Sequence, residues 1–194
     1  MKISFLVTYY QQVVYVQESM ESLLALKKPA EWEILIGDDG STDGTVEAAR
    51  AYADRDPAHI RLFVMDREPG RKYNAVERAS LNRLNLVRQA SGDCYCLMDG
   101  DDFYSETDFI PQALAVLESR PDVNVVGFDT WMYREGQSRK AENRAGPNWY
   151  RFTGNAIYAG SIPMRGLVCS GTPIRRRTFG PWKALACLTI TSSP

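Results

Sequence analysis

The chain has 194 residues, of which 44% are apolar, and its formal net charge is -1. This length predicts one domain with an ordinary core, and the balanced charge argues against a nucleic-acid-binding protein. The four cysteines lack the paired spacing of a zinc site, and the single histidine, His59, has no neighbours that suggest a catalytic Ser-His or Cys-His pair. No apolar run reaches the ~18 residues of a membrane-spanning helix, so we expect a cytoplasmic protein, with contact to the inner face of a membrane left open.

Strands and helices are predicted to alternate along the first 130 residues. The strands are short apolar runs at about 2–8, 32–37, 60–65, 93–98 and 123–128. The helices have apolar residues at helical spacing and cover about 13–27, 45–54, 74–90 and 107–119. On the third helix, the apolar residues expected near one face, toward the core, are Val76, Ala79, Leu84, Val87 and Ala90. This alternation predicts an α/β fold with a mostly parallel central sheet and helices on both faces, followed by a hairpin that turns at residues 134–137.

Two acidic turns follow predicted strands. Residues 98–102 (MDGDD) come directly after the fourth strand, and residues 37–44 (GDDGSTDG) follow the second. Because ligands bind beyond the carboxyl ends of the strands in such sheets, we expect both turns to border one crevice. Carboxylates packed together repel one another, and the usual way to balance them is a hard divalent cation with oxygen ligands, here Mg²⁺ or Mn²⁺, often shared with substrate phosphates.

Individual residues near these turns admit two interpretations. Asp99 and Asp101 are spaced so that one can contact a metal ion while the other reaches a ribose hydroxyl, but a solvated turn has the same composition. Asp38 or Asp39, at the tip of the second strand, can accept a hydrogen bond from a base N–H such as N3 of uracil, or can simply shape a tight turn. Tyr10 can stack on a base, or can be a partly buried tyrosine without a ligand.

Three segments together resemble the inverting family-2 glycosyltransferases of the GT-A fold: residues 8–11 (TYYQ), 36–45 (IGDDGSTDGT) and 90–102 (ASGDCYCLMDGDD). Their order and spacing match over about residues 1–130, with departures at Gln11 and Leu84, where the family usually has asparagine. The resemblance implies a single GT-A-type domain over residues 1–194, in which residues 1–130 form the nucleotide-sugar-binding half. Residues 131–194 would be part of the acceptor half, in a chain that we expect to be truncated.

The resemblance also implies an activity and a set of site residues. The activity is metal-dependent transfer of a hexosyl or N-acetylhexosaminyl group from a nucleotide-sugar, most often a UDP-sugar, to the hydroxyl of a saccharide or lipid-linked acceptor. By the same resemblance, the nucleotide-sugar is bound by Thr8, Tyr10, Asp38, Asp39, Arg83, Asp99, Gly100 and Asp101. Asp39 would read the base edge, Asp101 and Asp99 would hold Mg²⁺ or Mn²⁺, and Arg78 is the alternative to Arg83.

The implied reaction needs a carboxylate that removes the proton of the acceptor hydroxyl. The family places this base in the second half of the domain, usually in a Glu-Asp pair. Residues 143–194 carry seven basic residues and no Asp or Glu, so Asp129 and Glu142 are the remaining candidates. The alternative function is a catalytically silent nucleotide-binding module. A nucleotidyltransferase is disfavoured because residues 8–12 (TYYQQ) contain no glycine for a phosphate loop.

Overall fold

The computed structural model describes residues 1–29, 31–70 and 72–119, and after these the strands at 125–128, 131–134, 137–140, 149–152, 168–170 and 185–190. The chain divides into two compact units, Met1–Asp108 and Phe109–Pro194. Within the described ranges, no helix is both long enough and apolar enough to cross a membrane.

The first unit is built on a parallel sheet. Its strands are β1 (Ile3–Tyr9), β2 (Trp32–Asp38), β3 (Ile60–Val64) and β4 (Cys94–Asp99). The helices that join successive strands are α1 (Val13–Leu24), α2 (Thr45–Arg55) and α3 (Ala75–Gln89). The strand order is β3-β2-β1-β4, and every pair is parallel, as the alternation of strands and helices predicts.

Successive side chains of each strand point to opposite faces of the sheet, and helices cover both faces. On one face, Leu6 of β1 and Leu35 of β2 are fully buried against Leu86 of α3. On the other face, the hydroxyls of Tyr9 and Ser19 share a hydrogen bond of 2.5 Å, which ties β1 to α1. Helix α2 packs against α1. The predicted α/β fold with helices on both faces is therefore confirmed.

One buried carboxylate, that of Glu33 on β2, links neighbouring segments at the amino-terminal edge of the sheet. It accepts hydrogen bonds from the Ser4 hydroxyl (2.6 Å), the Ser91 amide (2.6 Å) and Arg61 (2.9 Å), and the Lys2 ammonium lies 3.8 Å away. Burial alone raises the pKa of Glu33, but the hydrogen bonds from Ser4 and Ser91 and the charge of Lys2 outweigh it and lower the pKa from 4.5 to about 2. Glu33 thus connects β1, β2 and β3 with the loop that leads into β4 through a single charge.

Two helices differ from their predictions for local reasons. Helix α1 ends at Leu24 rather than near residue 27, and the Lys28 ammonium donates to the free carbonyl oxygens of Leu24 (2.7 Å) and Leu26 (3.1 Å). On α3 the prediction that Val76 faces the core is wrong, since Val76 is 78% exposed. The buried positions of α3 are Asn82 and Leu86.

The second unit contains one described helix and six described strands. These elements are α4 (Phe109–Ser119), β5 (Val125–Phe128), β6 (Trp131–Arg134), β7 (Gln137–Lys140), β8 (Trp149–Phe152), β9 (Val168–Ser170) and β10 (Leu185–Ile190). Strand β5 is parallel to β10 and antiparallel to β9, and β10 is antiparallel to β8. The antiparallel pair of β6 and β7 matches Arg134 with Gln137, so the predicted hairpin is present. The candidate bases Asp129 and Glu142 lie outside the described residues.

Candidate functional site

The two acidic turns are fixed side by side at the end of β1. The Asp39 amide donates to the carbonyl oxygen of Tyr9 (3.0 Å), and the Gly100 amide donates to that of Thr8 (2.9 Å). A crevice opens between these turns and α3. The residues that line it are Thr8, Tyr9, Tyr10, Gln12, Asp39, Tyr73, Ala79, Asn82, Arg83, Asp99 and Asp101. Asp39 and Asp101 therefore face the same crevice.

Gly100 supports this crevice from behind and does not line it. A Cβ atom at this position would lie 2.1 Å from the ring of Tyr9, which is buried. No side chain fits there without displacing the ring. The second acidic turn can approach β1 this closely because residue 100 is glycine.

Asp99 is balanced by an arginine. The Arg83 guanidinium donates to its Oδ1 at 2.5 Å, and the Thr8 hydroxyl lies 3.4 Å from the same oxygen. The structure thus brings together Thr8, Arg83 and Asp99, three residues that the resemblance places near the nucleotide. Arg83 thus brings a positive charge to the part of the crevice that Asp99 lines.

Asp39 is buried and engages two further arginines. Arg78 donates to its Oδ1 through Nε (2.5 Å), and Arg67 donates to its Oδ2 through Nη2 (3.2 Å). Arg67 also donates through Nε to the main-chain oxygen of Asp39 (2.9 Å). Arg78 also donates through Nη2 to the main-chain oxygen of Asp66 (3.1 Å). Each carboxylate oxygen of Asp39 therefore already accepts one hydrogen bond, and guanidinium N–H groups flank it on both sides.

An aromatic pair stands beside Asp39. The rings of Tyr10 and Tyr73 stack with centroids 5.1 Å apart, and the Arg67 guanidinium lies 4.2 Å from the first centroid and 4.6 Å from the second. Burial, followed by the negative charge of Asp39, raises the pKa of Tyr73. The cluster thus places two aromatic rings and a guanidinium group beside Asp39, and both rings line the crevice.

Asp38 points away from the crevice. Its side chain is fully buried and accepts hydrogen bonds from the amide (2.7 Å) and the hydroxyl (2.6 Å) of Ser41. These bonds close the turn between β2 and α2. Of the two adjacent aspartates, the structure brings only Asp39 to the crevice.

Gln11, the residue after Tyr10, is one of the two departures from the family pattern. Gln11 has a φ of 52°, in the left-handed region that asparagine tolerates better than most residues. Its side chain compensates by pairing with Thr42, as Nε2 donates to the Thr42 hydroxyl (3.1 Å) and Oε1 accepts from the Thr42 amide (3.1 Å). The longer glutamine thus ties the β1 loop to the first acidic turn.

Asn82 lies in the wall of the crevice with one polar atom unused. Its Nδ2 donates to the carbonyl oxygen of Gly37 (3.0 Å), but among the described residues its buried Oδ1 has no hydrogen-bond partner. A buried acceptor left in this state costs about 1–3 kcal/mol. Such a group in a crevice calls for a functional explanation.

Asp101 is the free carboxylate of the site. It is exposed, and within the part of the chain that the structure describes it forms no hydrogen bond or ion pair. The same part of the chain contains no cluster of three or more Asp, Glu, His or Cys side chains that would hold a metal ion unaided. Two carboxylates that share a cation with substrate phosphates are nevertheless a common Mg²⁺ arrangement, and Asp101 with Asp99 fits that donor set.

Sequence reasoning did not identify Arg67, which pairs with Asp39, or Tyr73 and Asn82, which line the crevice. The first two lie in the segment after β3, whose carboxyl end is at the same edge as the acidic turns, so their position was a usable signal. Asn82 stands four positions before the buried Leu86. A polar residue at a core-facing helix position is a signal of the same kind.

The family model for glycosyl transferase family 2 matches residues 4–179. One relative of this chain is EpsE of Bacillus subtilis (strain 168), which is provisionally named as a glycosyltransferase. It is 31% identical over 178 residues, which are 92% of this chain and 55% of EpsE. The chain spans about half the length of the curated relatives EpsE and YibD of Escherichia coli (strain K12).

Solved structures agree on the fold. TarS 1-349 of S. aureus in complex with UDP superposes with a TM-score of 0.69 at 18% identity, covering 100% of this chain and 61% of that one. The mannosyltransferase PcManGT of Pyrobaculum calidifontis, in complex with GDP-Man and Mn²⁺, gives a TM-score of 0.54 at 22% identity over 64% of this chain and 34% of that one. The chain belongs to the family-2 glycosyltransferases and has their GT-A fold.

Proposed function

We propose that this chain binds the donor of a metal-dependent glycosyltransferase that moves a sugar from a UDP-sugar to an acceptor hydroxyl with inversion. The observation that carries the proposal is the single crevice lined by Asp39 and Asp101. One end offers a paired carboxylate beside stacked aromatic rings, which suits a base. The other offers a free carboxylate near an arginine, which suits a cation and a diphosphate.

The partners of Asp39 favour uracil over guanine. Guanine presents adjacent N–H groups at N1 and N2, which match a carboxylate with both oxygens free. Uracil presents its N3–H between two carbonyl oxygens. Since Arg78 and Arg67 already donate to the two oxygens of Asp39, the complementary edge is an N–H flanked by acceptors. TarS has been solved with UDP, whereas PcManGT holds GDP-Man, so the distinction is open to measurement in this chain.

Asp101 and Asp99 would hold Mg²⁺ or Mn²⁺ together with the diphosphate. The bound cation would neutralise charge on the departing diphosphate. Arg83 stands beside Asp99 and adds a fixed positive charge at the same place. Asp99, Asp101 and Arg83 would thus bind the diphosphate and stabilise it as the leaving group.

The acceptor side of the proposal concerns the whole protein. For the whole protein we propose a saccharide or lipid-linked acceptor, transfer of a hexosyl or N-acetylhexosaminyl group, and contact with a membrane surface. Asp129 and Glu142 are the proposed bases within this chain. Replacing the true base by its amide, as Asp129→Asn or Glu142→Gln, should lower turnover at least about 100-fold while the dissociation constant for UDP stays unchanged.

The proposal is tested by calorimetric titration of UDP and GDP with Mn²⁺ present. We expect UDP to bind at least about tenfold more tightly than GDP, a difference of ~1.4 kcal/mol. Equal or tighter binding of GDP would refute the assignment of the base. Release of UDP from UDP-sugars then separates an enzyme from a silent nucleotide-binding module, which would bind UDP but release none by transfer or hydrolysis.

A further inference from the structure

Asn82 occupies a position that α3 otherwise uses for apolar packing. One turn later, Leu86 packs on Leu6 and Leu35 in the centre of the sheet. In the next row toward the carboxyl edge, Asn82 lies over Gly37 of β2 and lines the crevice. A carboxamide therefore stands where the helix pattern calls for an apolar side chain.

Gly37 and Asn82 form a matched pair. A Cβ atom at residue 37 would lie 2.2 Å from Oδ1 of Asn82 and 3.0 Å from its Cγ, so the carboxamide fits because residue 37 is glycine. The hydrogen bond from Nδ2 to the Gly37 carbonyl oxygen also fixes which end of the amide is which, since the reverse orientation would place two oxygens together. Among the described residues, Oδ1 of Asn82 is therefore a hydrogen-bond acceptor that has no donor.

The position of this acceptor limits its ligand. Gly37 precedes Asp39 by two residues at the end of β2, so Asn82 lies toward the nucleoside end of the crevice. UDP has few hydrogen-bond donors: the N3–H of uracil and the hydroxyls at C2′ and C3′ of the ribose. Asp39 is the partner proposed for N3–H, and the ribose hydroxyls remain.

We infer that Asn82 is a specificity-determining residue whose Oδ1 accepts a hydrogen bond from a ribose hydroxyl of the bound nucleotide. This inference rests on the proposed function and adds to it a selection for ribonucleotides over deoxyribonucleotides. Because Oδ1 is shielded in the free protein, a small turn of the carboxamide about its Cβ–Cγ bond, a torsion with a broad energy profile, brings Oδ1 to the ligand while Nδ2 stays within reach of the Gly37 carbonyl oxygen. The unused acceptor of the free protein then gains its donor from the ligand.

The test combines a protein change with a ligand change. The dissociation constants of UDP, 2′-deoxy-UDP and 3′-deoxy-UDP are measured by calorimetry with Mn²⁺ for the wild type and Asn82→Ala. We expect the wild type to bind one of the deoxy nucleotides about 3- to 10-fold more weakly than UDP, the range of one hydrogen bond. Asn82→Ala should bind UDP more weakly by the same factor and should no longer distinguish it from that deoxy nucleotide.

The matched control is Asn85→Ala, the same change on the same helix outside the crevice, which should keep the wild-type discrimination. Asn82→Leu keeps the branched shape and the number of heavy atoms of the side chain and gives the same reading if Asn82→Ala does not fold. If wild type and Asn82 variants discriminate equally against both deoxy nucleotides, Asn82 is a packing residue and this inference alone is overturned. If the wild type binds no UDP, the proposed function fails first and the inference fails with it.

Discussion

Glu33 gives the sharpest prediction about stability, because a single buried charge joins β1, β2 and β3 to the loop that precedes β4. Its side chain is 7% exposed, and its pKa is lowered from 4.5 to about 2 in the folded protein. At about 1.36 kcal/mol per pKa unit, this difference corresponds to ~3 kcal/mol of folding free energy. Since the folded pKa is the lower one, the stabilisation is complete above pH ~4.5 and is lost as the pH falls toward ~2.

The perturbation is Glu33→Gln, which retains a hydrogen-bond acceptor for Ser91 but cannot pair with the charges of Arg61 and Lys2. Urea denaturation followed by tryptophan fluorescence should show the variant ~3 kcal/mol less stable than the wild type near pH 6, with the difference vanishing toward pH ~2. Other carboxylates that titrate in this range cancel in the comparison. Glu18→Gln, the same change at an exposed position of α1, should stay within ~0.5 kcal/mol of the wild type throughout.

A difference between wild type and Glu33→Gln that is the same at pH ~6 and pH ~3 would refute this reasoning. The charge of Glu33 would then contribute nothing, and only the shape of the side chain would matter. A variant as stable as the wild type at pH ~6 would show that desolvation of the carboxylate offsets its hydrogen bonds entirely.

Three further changes concern the crevice. Gly100→Ala should lower the free energy of unfolding by ~1–3 kcal/mol, because the added methyl group meets the ring of Tyr9; urea denaturation measures this, and an unchanged value contradicts it. Tyr10→Ala should weaken UDP binding about tenfold, whereas Tyr10→Phe should stay within about twofold; equal losses in calorimetry would exclude stacking as the cause. Asp39→Asn should cost ~3 kcal/mol of stability, because Arg78 and Arg67 lose their anionic partner, and should also abolish the preference for UDP over GDP.

The order of elements in the first unit was readable from the sequence because each parallel strand is a short apolar run that needs burial on both faces. The ends of the helices were less readable. The last turn of α1 depends on Lys28, a residue beyond the helix that reaches back to its free carbonyl oxygens. The face of α3 that meets the sheet was misjudged at Val76, because packing at Asn82 and Leu86 sets the rotation of the helix.

The crevice was predictable in outline because the ends of parallel strands meet at one edge. The residues by themselves could not distinguish Asp38 from Asp39, although the resemblance assigned the base edge to Asp39. Adjacent residues at a strand end point in different directions, and here Asp38 closes its own turn on Ser41. The sequence also favoured a divalent cation as the usual balance for the acidic turns. Arginines far along the chain supply much of that balance, as with Arg78 and Asp39, which lie 39 residues apart.

The central claim is that a cation and Asp101 together hold the diphosphate of UDP in the crevice that Asp39 also lines. The most direct measurement is the dissociation constant of UDP with Mn²⁺ and with a chelator, in the wild type, in Asp101→Asn and in Asp54→Asn, which removes an equal charge from an exposed position of α2. We predict that Mn²⁺ tightens UDP binding at least about tenfold in the wild type and in Asp54→Asn, and has no effect in Asp101→Asn. Equal affinity with metal and with chelator in the wild type, or a full metal effect in Asp101→Asn, would contradict the claim.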